Sequence, residues 1–165
     1  MRPDDTRITT FVSRLRDLDT GERARLKRNA GKEMAESYDV LGLFYRLLPP
    51  GVEPRDEPRF FLVATLFPLT GNATEGNFGD ALRRIRTDEN AQSLDRRFEV
   101  LLDADVRQLP YYLRQAVRML AAREVAVPWA SLLADLTSWT HPQRFVQRAW
   151  ARSYFASQPA STEEK

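Results

Sequence analysis

The sequence predicts an all-α protein built as two small packed helical bundles, and three observations lead there. Apolar residues recur at three- and four-residue spacing through most of the chain, the period of a helix with one buried stripe. Proline and glycine fall mainly at the ends of these segments rather than inside them. The one strand-like run, 60–67, has no visible partner with which to pair.

Thr9 or Thr10 is placed to cap a first helix whose Phe11, Val12, Leu15 and Leu18 share a face. It ends near 19–22, where Asp19 and Glu22 have capping-box spacing and Gly21 permits the turn. The next helix, 22–30, crowds Arg23, Arg25, Lys27 and Arg28 around only Ala24, Leu26 and Ala30, with Lys32 just beyond. So thin an apolar stripe keeps it on the surface, and Gly31 is its stop. A buried helix follows over 39–48, with Arg46 its only cation, and Pro49 and Pro50 end it. A polar linker (51–58) with two further prolines leads to 59–69, whose nearly continuous apolar run fits a buried strand or a helix. An unpaired strand edge is a liability, so helix is the assignment.

Residues 70–77 read as a loop. A short helix from Phe78 turns Phe78, Ala81, Leu82 and Ile85 inward and Arg83, Arg84 and Arg86 largely outward. The pattern breaks at 88–92, which divides the chain into bundles over 1–90 and 91–157, with a flexible polar tail at 158–165. The second bundle begins with Leu94, Phe98, Leu101 and Leu102 on one face, flanked by Arg96 and Arg97. A polar turn containing Asp103, Asp105 and Arg107 leads into a helix with Pro110 in its first turn. There Leu109, Tyr112, Leu113, Ala116, Val117 and Leu120 lie opposite Tyr111, Arg114 and Arg118. Pro128 opens the next helix, which adds Trp129, Leu132, Leu133 and Leu136 to the core. Thr140 and Gln143 have capping-box spacing, with Pro142 in the first turn, for a last helix packing Phe145, Val146, Ala149 and Trp150.

Composition narrows the chemistry. With no cysteine, disulfides, thiolate zinc sites and cysteine nucleophiles are excluded, and a reducing cytoplasm fits. No signal peptide is visible at the start, and 60–67 is too short to span a bilayer, so the expected location is the cytoplasm, away from membranes. The net charge is only +2, from 25 Lys and Arg against 23 Asp and Glu, so local distribution matters more than the total. Nearly all the cations are arginine, whose planar fork suits phosphate. Arg144, Arg148 and Arg152 lie four apart in a stretch without any acid between Asp135 and Glu163. Like charges at that spacing cost roughly 0.2–0.5 kcal/mol per pair, which an anion or solvent screening can offset.

Catalysis has little to work with. His141 is the lone histidine and sits at a helix entrance, where meeting a terminal polar group is the usual task. Asp88/Glu89 and Asp103/Asp105 do not share a helix face and read as turn residues, not magnesium ligands. No nucleophile elbow, phosphate-binding glycine loop or His-Glu-x-x-His is present. No catalytic residue, metal or cofactor is therefore expected. Basic faces on helices that are apolar behind suit a protein gripping a nucleic-acid backbone by charge and shape. A helical adapter that binds protein alone is the competing reading, and a metal-dependent nuclease a remote third. The aromatics are mostly assigned to the core, with Tyr111 the exception.

The order of several short stretches resembles the CasB family, the small subunit of the type I-E CRISPR surveillance complex Cascade. They are Phe44-Tyr-Arg-Leu-Leu-Pro49, Phe78-Gly-Asp-Ala-Leu-Arg83, Asp95 to Asp105, Leu113-Arg-Gln-Ala-Val117 and Pro128 to Trp139 ahead of the Arg-rich last helix. The resemblance implies an all-helical, non-enzymatic subunit, present in two copies and partnered by other Cascade subunits. Its basic residues would steady guide RNA, target DNA and the displaced non-target strand. Carried across, it implies contacts by Lys27, Arg28, Arg46, Arg96, Arg97, Arg114 and Arg144, to which the basic faces add Arg118, Arg148 and Arg152. Two positions depart from the family: Asp80 and Asp103 stand where arginine is usual or frequent. Arg83, Arg84 and Arg107 are the neighbours able to substitute.

Overall fold

The computed structural model describes residues 1–156. The predicted tail at 158–165 lies outside the described residues. Among the described residues nine α-helices run in chain order: α1 (Thr6–Arg16), α2 (Thr20–Arg28), α3 (Leu41–Leu47), α4 (Glu57–Leu66), α5 (Phe78–Arg83), α6 (Ala91–Asp103), α7 (Leu109–Ala122), α8 (Trp129–Thr137) and α9 (Phe145–Tyr154). Two 3-10 turns, Met34–Glu36 and Phe67–Leu69, complete the regular structure among these residues. The protein is all-α, its helices packed in two groups. One holds α1 to α4 together with α8, and the other α5, α6, α7 and α9, with α7 also touching α4. The apolar faces of both groups meet in one continuous core.

The run assigned to a helix at 59–69 is helical. α4 is buried along its whole length from Phe60 to Leu66, and Phe67–Leu69 tightens into a 3-10 turn. The capping box of Asp19 and Glu22 also forms, Asp19 accepting from the Glu22 N–H at 2.8 Å and Glu22 accepting from the Asp19 N–H at 3.2 Å. Gly31 ends the α2 region at φ +74°, a left-handed backbone that glycine adopts without penalty. The only β-type pairing among the described residues is a single bridge between Asn72 and Val127, which ties the 70–77 loop to the approach to α8.

α2 and α4 each start two residues before the expected 22 and 59, and three other helix starts differ for local reasons. α1 begins before Thr9: Asp5 accepts from the Arg7 N–H at 3.0 Å, and Ile8 joins the buried face. α3 starts at Leu41, not Asp39, because Asp39 takes a left-handed φ of +62°, a conformation aspartate tolerates but a helix does not continue. Val40 is buried ahead of this helix while Leu41 is exposed. The box of Thr140 and Gln143 does not form. The Gln143 N–H instead donates to His141 Nδ1 at 3.2 Å, the chain turns through a left-handed Arg144, and α9 starts at Phe145. Pro142 therefore precedes the helix.

α5 and α9 make the closest approach between helices. Asn77 accepts from the Asp80 N–H at 3.0 Å and Asp80 accepts from the Asn77 N–H at 2.8 Å, a capping box that fixes the start of α5. Asn77 then donates to Ser153 Oγ on α9 at 2.9 Å. At Gly79 an added Cβ would run into the backbone carbonyl of Trp150 and lie 3.0 Å from its Cα. Trp150 is fully buried, with its ring 5.2 Å from Phe78 and 5.1 Å from Trp139.

The Trp150 Nε1–H donates to Asp135 Oδ2 on α8 at 2.8 Å. Burial raises the Asp135 carboxyl to about 6, against the lowering effect of that hydrogen bond. With a raised carboxylate the folded chain keeps a proton that the unfolded chain releases. Its contribution therefore favours folding at low pH and is lost as the pH rises from the ordinary 3.8 through about 6. Asp5, held at about 2 by Arg7, and Asp95, lowered by Arg86, act in the opposite sense. Asp135→Asn keeps an acceptor for Trp150 and removes only the first effect. Urea unfolding of both proteins is expected to show the variant gaining on the wild type by on the order of 2 kcal/mol between about pH 4 and about pH 7. A difference that stays flat over that range would refute this account.

Candidate nucleic-acid interface

The basic residues divide into those fixed by the protein and those left open. On α2, Arg23 is fixed: it donates to the Leu18 and Arg16 carbonyls at 3.3 and 3.2 Å and lies over the Phe67 ring. Arg25 donates to the Asp39 carbonyl, which holds the left-handed turn before α3. Lys27 and Arg28 remain exposed on the outer side, Arg28 only 3.5 Å from the Asp39 carboxylate. Arg46 on α3 is exposed and 3.8 Å from Glu22. Exposed ion pairs of this kind contribute little to stability, so both guanidiniums can exchange partners at small cost.

Arg114 connects this region to α7. Its aliphatic stem lies on Gly31, with Cδ 2.7 Å from where a Cβ would stand, so the glycine makes room for the arginine. The Arg114 Nε is buried and has no hydrogen-bond partner among the described residues. An unpartnered buried donor carries a desolvation cost of about 1–3 kcal/mol. Arg118, one turn further along α7, is exposed. The α2 end and the Arg114/Arg118 row thus meet although they belong to different helix groups.

A second basic region forms around α5 and α9. Arg83, Arg84 and Arg86 line a hollow of about 530 Å³ beside Asp80 and Glu75. Arg84 is exposed and Arg83 half-buried, with no ion pair to either among the described residues. Arg86 is tied down: it grips Asp95 with two hydrogen bonds at 2.9 and 3.0 Å, while the Tyr154 hydroxyl donates to the same carboxylate at 2.5 Å. That pairing raises Arg86 and lowers Asp95, and burial with the Asp95 bond pushes the Tyr154 hydroxyl up. Arg148 and Arg152 are exposed on α9, which packs on α5.

The remaining sequence candidates scatter. Arg144 is not on α9 with Arg148 and Arg152 but at its left-handed entrance, donating to the Leu102 carbonyl at 2.6 Å and 3.5 Å from Asp103. Asp103 thus occupies a guanidinium, and Asp80 caps a helix; both acids at the departing positions have structural work. Arg107 is exposed in the turn between α6 and α7, where Asp105 accepts from the Arg107 and Gln108 N–H groups at 2.9 Å. Arg96 and Arg97 are exposed on α6, Arg97 with Nη1 3.3 Å from Met119 Sδ.

Sequence reasoning missed Arg59 and the exposed aromatics. Arg59 is half-buried between two hollows, and burial holds its guanidinium below the ordinary value. Tyr38 is 81 % exposed and Tyr45, whose hydroxyl donates to Glu57 at 2.8 Å, is 49 % exposed, although the aromatics were assigned mostly to the core. Tyr38 sits outside every periodic segment, between Ser37 and Asp39, which was the available signal. Tyr111 is exposed at 59 %, as its place opposite the apolar stripe implies. Among the described residues no group of three or more His, Asp or Glu is placed to hold a metal ion, and no helix is long and apolar enough to cross a membrane.

Fold and surface define a class: an all-helical protein that presents arginine on exposed helix faces. The family model for CRISPR-associated protein Cse2 matches residues 22–155. A CRISPR-associated protein Cse2 from Thermus thermophilus is 35 % identical over 136 residues, covering 71 % of this chain and 77 % of that protein. Among solved structures, CasB from Thermus thermophilus is 28 % identical with a TM-score of 0.80, covering 95 % of this chain and all of its own. A chain of a CRISPR RNA-guided surveillance complex is 26 % identical with a TM-score of 0.74, covering 90 % of this chain and 91 % of its own. The chain belongs to the CRISPR-associated Cse2 family, also named CasB, whose members are non-catalytic.

Proposed function

We propose that this chain steadies nucleic acid within a Cascade-type surveillance complex by gripping phosphates with two basic regions. One comprises Lys27, Arg28, Arg114 and Arg118, with Arg46 close by; the other comprises Arg83, Arg84, Arg148 and Arg152. Guide RNA, target DNA and the displaced strand are the ligands, and other complex subunits together with a second copy of the chain complete the groove. The observation that carries this reading is Arg114, whose stem lies on Gly31 and joins the α7 row to the basic end of α2. A phosphate is the anion that a guanidinium fork satisfies with paired hydrogen bonds. The similarity to a chain of an RNA-guided surveillance complex supports the setting.

Arg114→Ala in the reconstituted complex is expected to weaken target-DNA binding to a similar degree for unrelated sequences. The slope of log K against log salt should fall by up to about one unit for the lost contact. Full occupancy of the variant subunit with an unchanged affinity and slope would reject Arg114 as a phosphate contact.

A further inference from the structure

The seam between α6 and α7 does not close. A hollow of about 260 Å³ opens along it, and a second of about 240 Å³ continues it toward the C-terminal end of α7, the two sharing Leu94, Arg97 and Met119. The lining of α7 runs from Tyr112 to Arg123, about 16 Å at 1.5 Å per residue, or three helical turns. On α6 it includes Val100, which is 40 % exposed. The floor is apolar, and the charged residues along both hollows are Arg96, Arg97 and Arg123, without one Asp or Glu.

We infer that this groove is a docking site for an amphipathic helix of a partner protein, one that carries acids beside its apolar stripe. Length and shape fit a helix laying residues at i, i+4 and i+7 along the seam. The rim selects the charge, since a lining with three arginines and no Asp or Glu favours carboxylates flanking the stripe and opposes cationic helices. Among the described residues a second copy is a poor match: α3, which exposes Leu41 and Tyr45, and α9, which exposes Phe145, contain arginine and no acid, while α6 carries Asp95, Glu99 and Asp103 but exposes only one large apolar residue, Val100, its stripe being buried in the core. The inference goes beyond the nucleic-acid reading and does not rest on it, because Arg114 and Arg118 lie outside the groove lining. It gives Arg96 and Arg97, which the family resemblance implies as strand contacts, a protein partner instead.

The test titrates the full chain against two labelled synthetic helical peptides with the same leucine stripe, one flanked by Glu and the other by Lys. The wild type is expected to bind the Glu peptide at least about tenfold more tightly, with the preference shrinking as salt rises. Arg97→Glu combined with Arg123→Glu is expected to reverse the preference, a result that a misfolded variant does not mimic. Equal binding of both peptides, or a preference unchanged by the charge reversal, overturns the proposal. So does displacement of the Glu peptide from the wild type by a short single-stranded DNA that no longer binds the double variant, which would return the rim to nucleic acid. Self-association of the chain that blocks the peptide would also overturn it, by assigning the groove to a second copy.

Discussion

Gly79→Ala is expected to destabilise the protein by about 2–3 kcal/mol, enough to lower the melting temperature by several degrees in a chain of this size. On an open helix surface the same change is stabilising by about 1 kcal/mol, because alanine restricts the unfolded chain and favours helix. Here the methyl group meets the Trp150 carbonyl group, backbone that cannot rotate away as a side-chain tip does. Relief requires α5 and α9 to separate, which also strains the Asn77 to Ser153 bond and loosens Phe78 on the Trp150 ring. Backbone clash therefore outweighs propensity. Thermal unfolding of the variant reads the sign directly, and a melting temperature at or above that of the wild type would show that the crossing is not tight.

Trp150→Ala is expected to cost about 4–5 kcal/mol, a large share of the 5–15 kcal/mol that ordinarily separates folded from unfolded chains. The loss has two parts. The cavity left between Phe78 and Trp139 forfeits contacts that no neighbour recovers without moving backbone. Asp135 also loses the indole N–H that holds its mostly buried carboxyl. Trp150→Phe separates the parts: it keeps most of the packing and removes the hydrogen bond, so its cost in urea unfolding should fall well below that of alanine. Equal costs for the two variants would place the whole effect in the hydrogen bond and contradict the cavity argument.

Most helices were legible because each carries its own stripe. Leu94, Phe98 and Leu101 on α6, and Leu109, Leu113, Ala116, Val117 and Leu120 on α7, are buried as the spacing predicts. What periodicity does not encode is the partner of each stripe. α8 follows α7 in sequence yet packs on α1 and α4, and α5 packs on the distant α9. The two capping boxes show the same limit at short range. Asp19 and Glu22 form theirs, whereas Thr140 and Gln143 lose theirs to a local turn in which His141 supplies the acceptor. Asn77 and Asp80 have the right spacing and do form a box, so Asp80 had a structural explanation in the sequence itself.

The candidate interface was legible as a set of arginines but not in their availability. Arg86 and Arg144 look as open as Arg148 in the sequence. The residues that occupy them, Asp95 and Tyr154 for the one and Leu102 and Asp103 for the other, are brought in by tertiary packing. Conversely, nothing in the spacing of α7 distinguishes Arg114 from Arg118. Only the glycine beneath Arg114, contributed by the end of α2, shows that its stem is packed.

The pairing of α5 with α9 also sets an order on how the molecule is made. Helices α1 to α4 come first in the chain and pack largely on one another, and α8 adds to that group. α5 has no such neighbour in its own half of the chain: the backbone that Gly79 fits against belongs to Trp150, close to the carboxyl end. Closing so long a loop is entropically costly and comes late, and apolar surface waiting for a distant partner is what nascent chains most readily aggregate through. The last helix among the described residues is thus the one that covers α5.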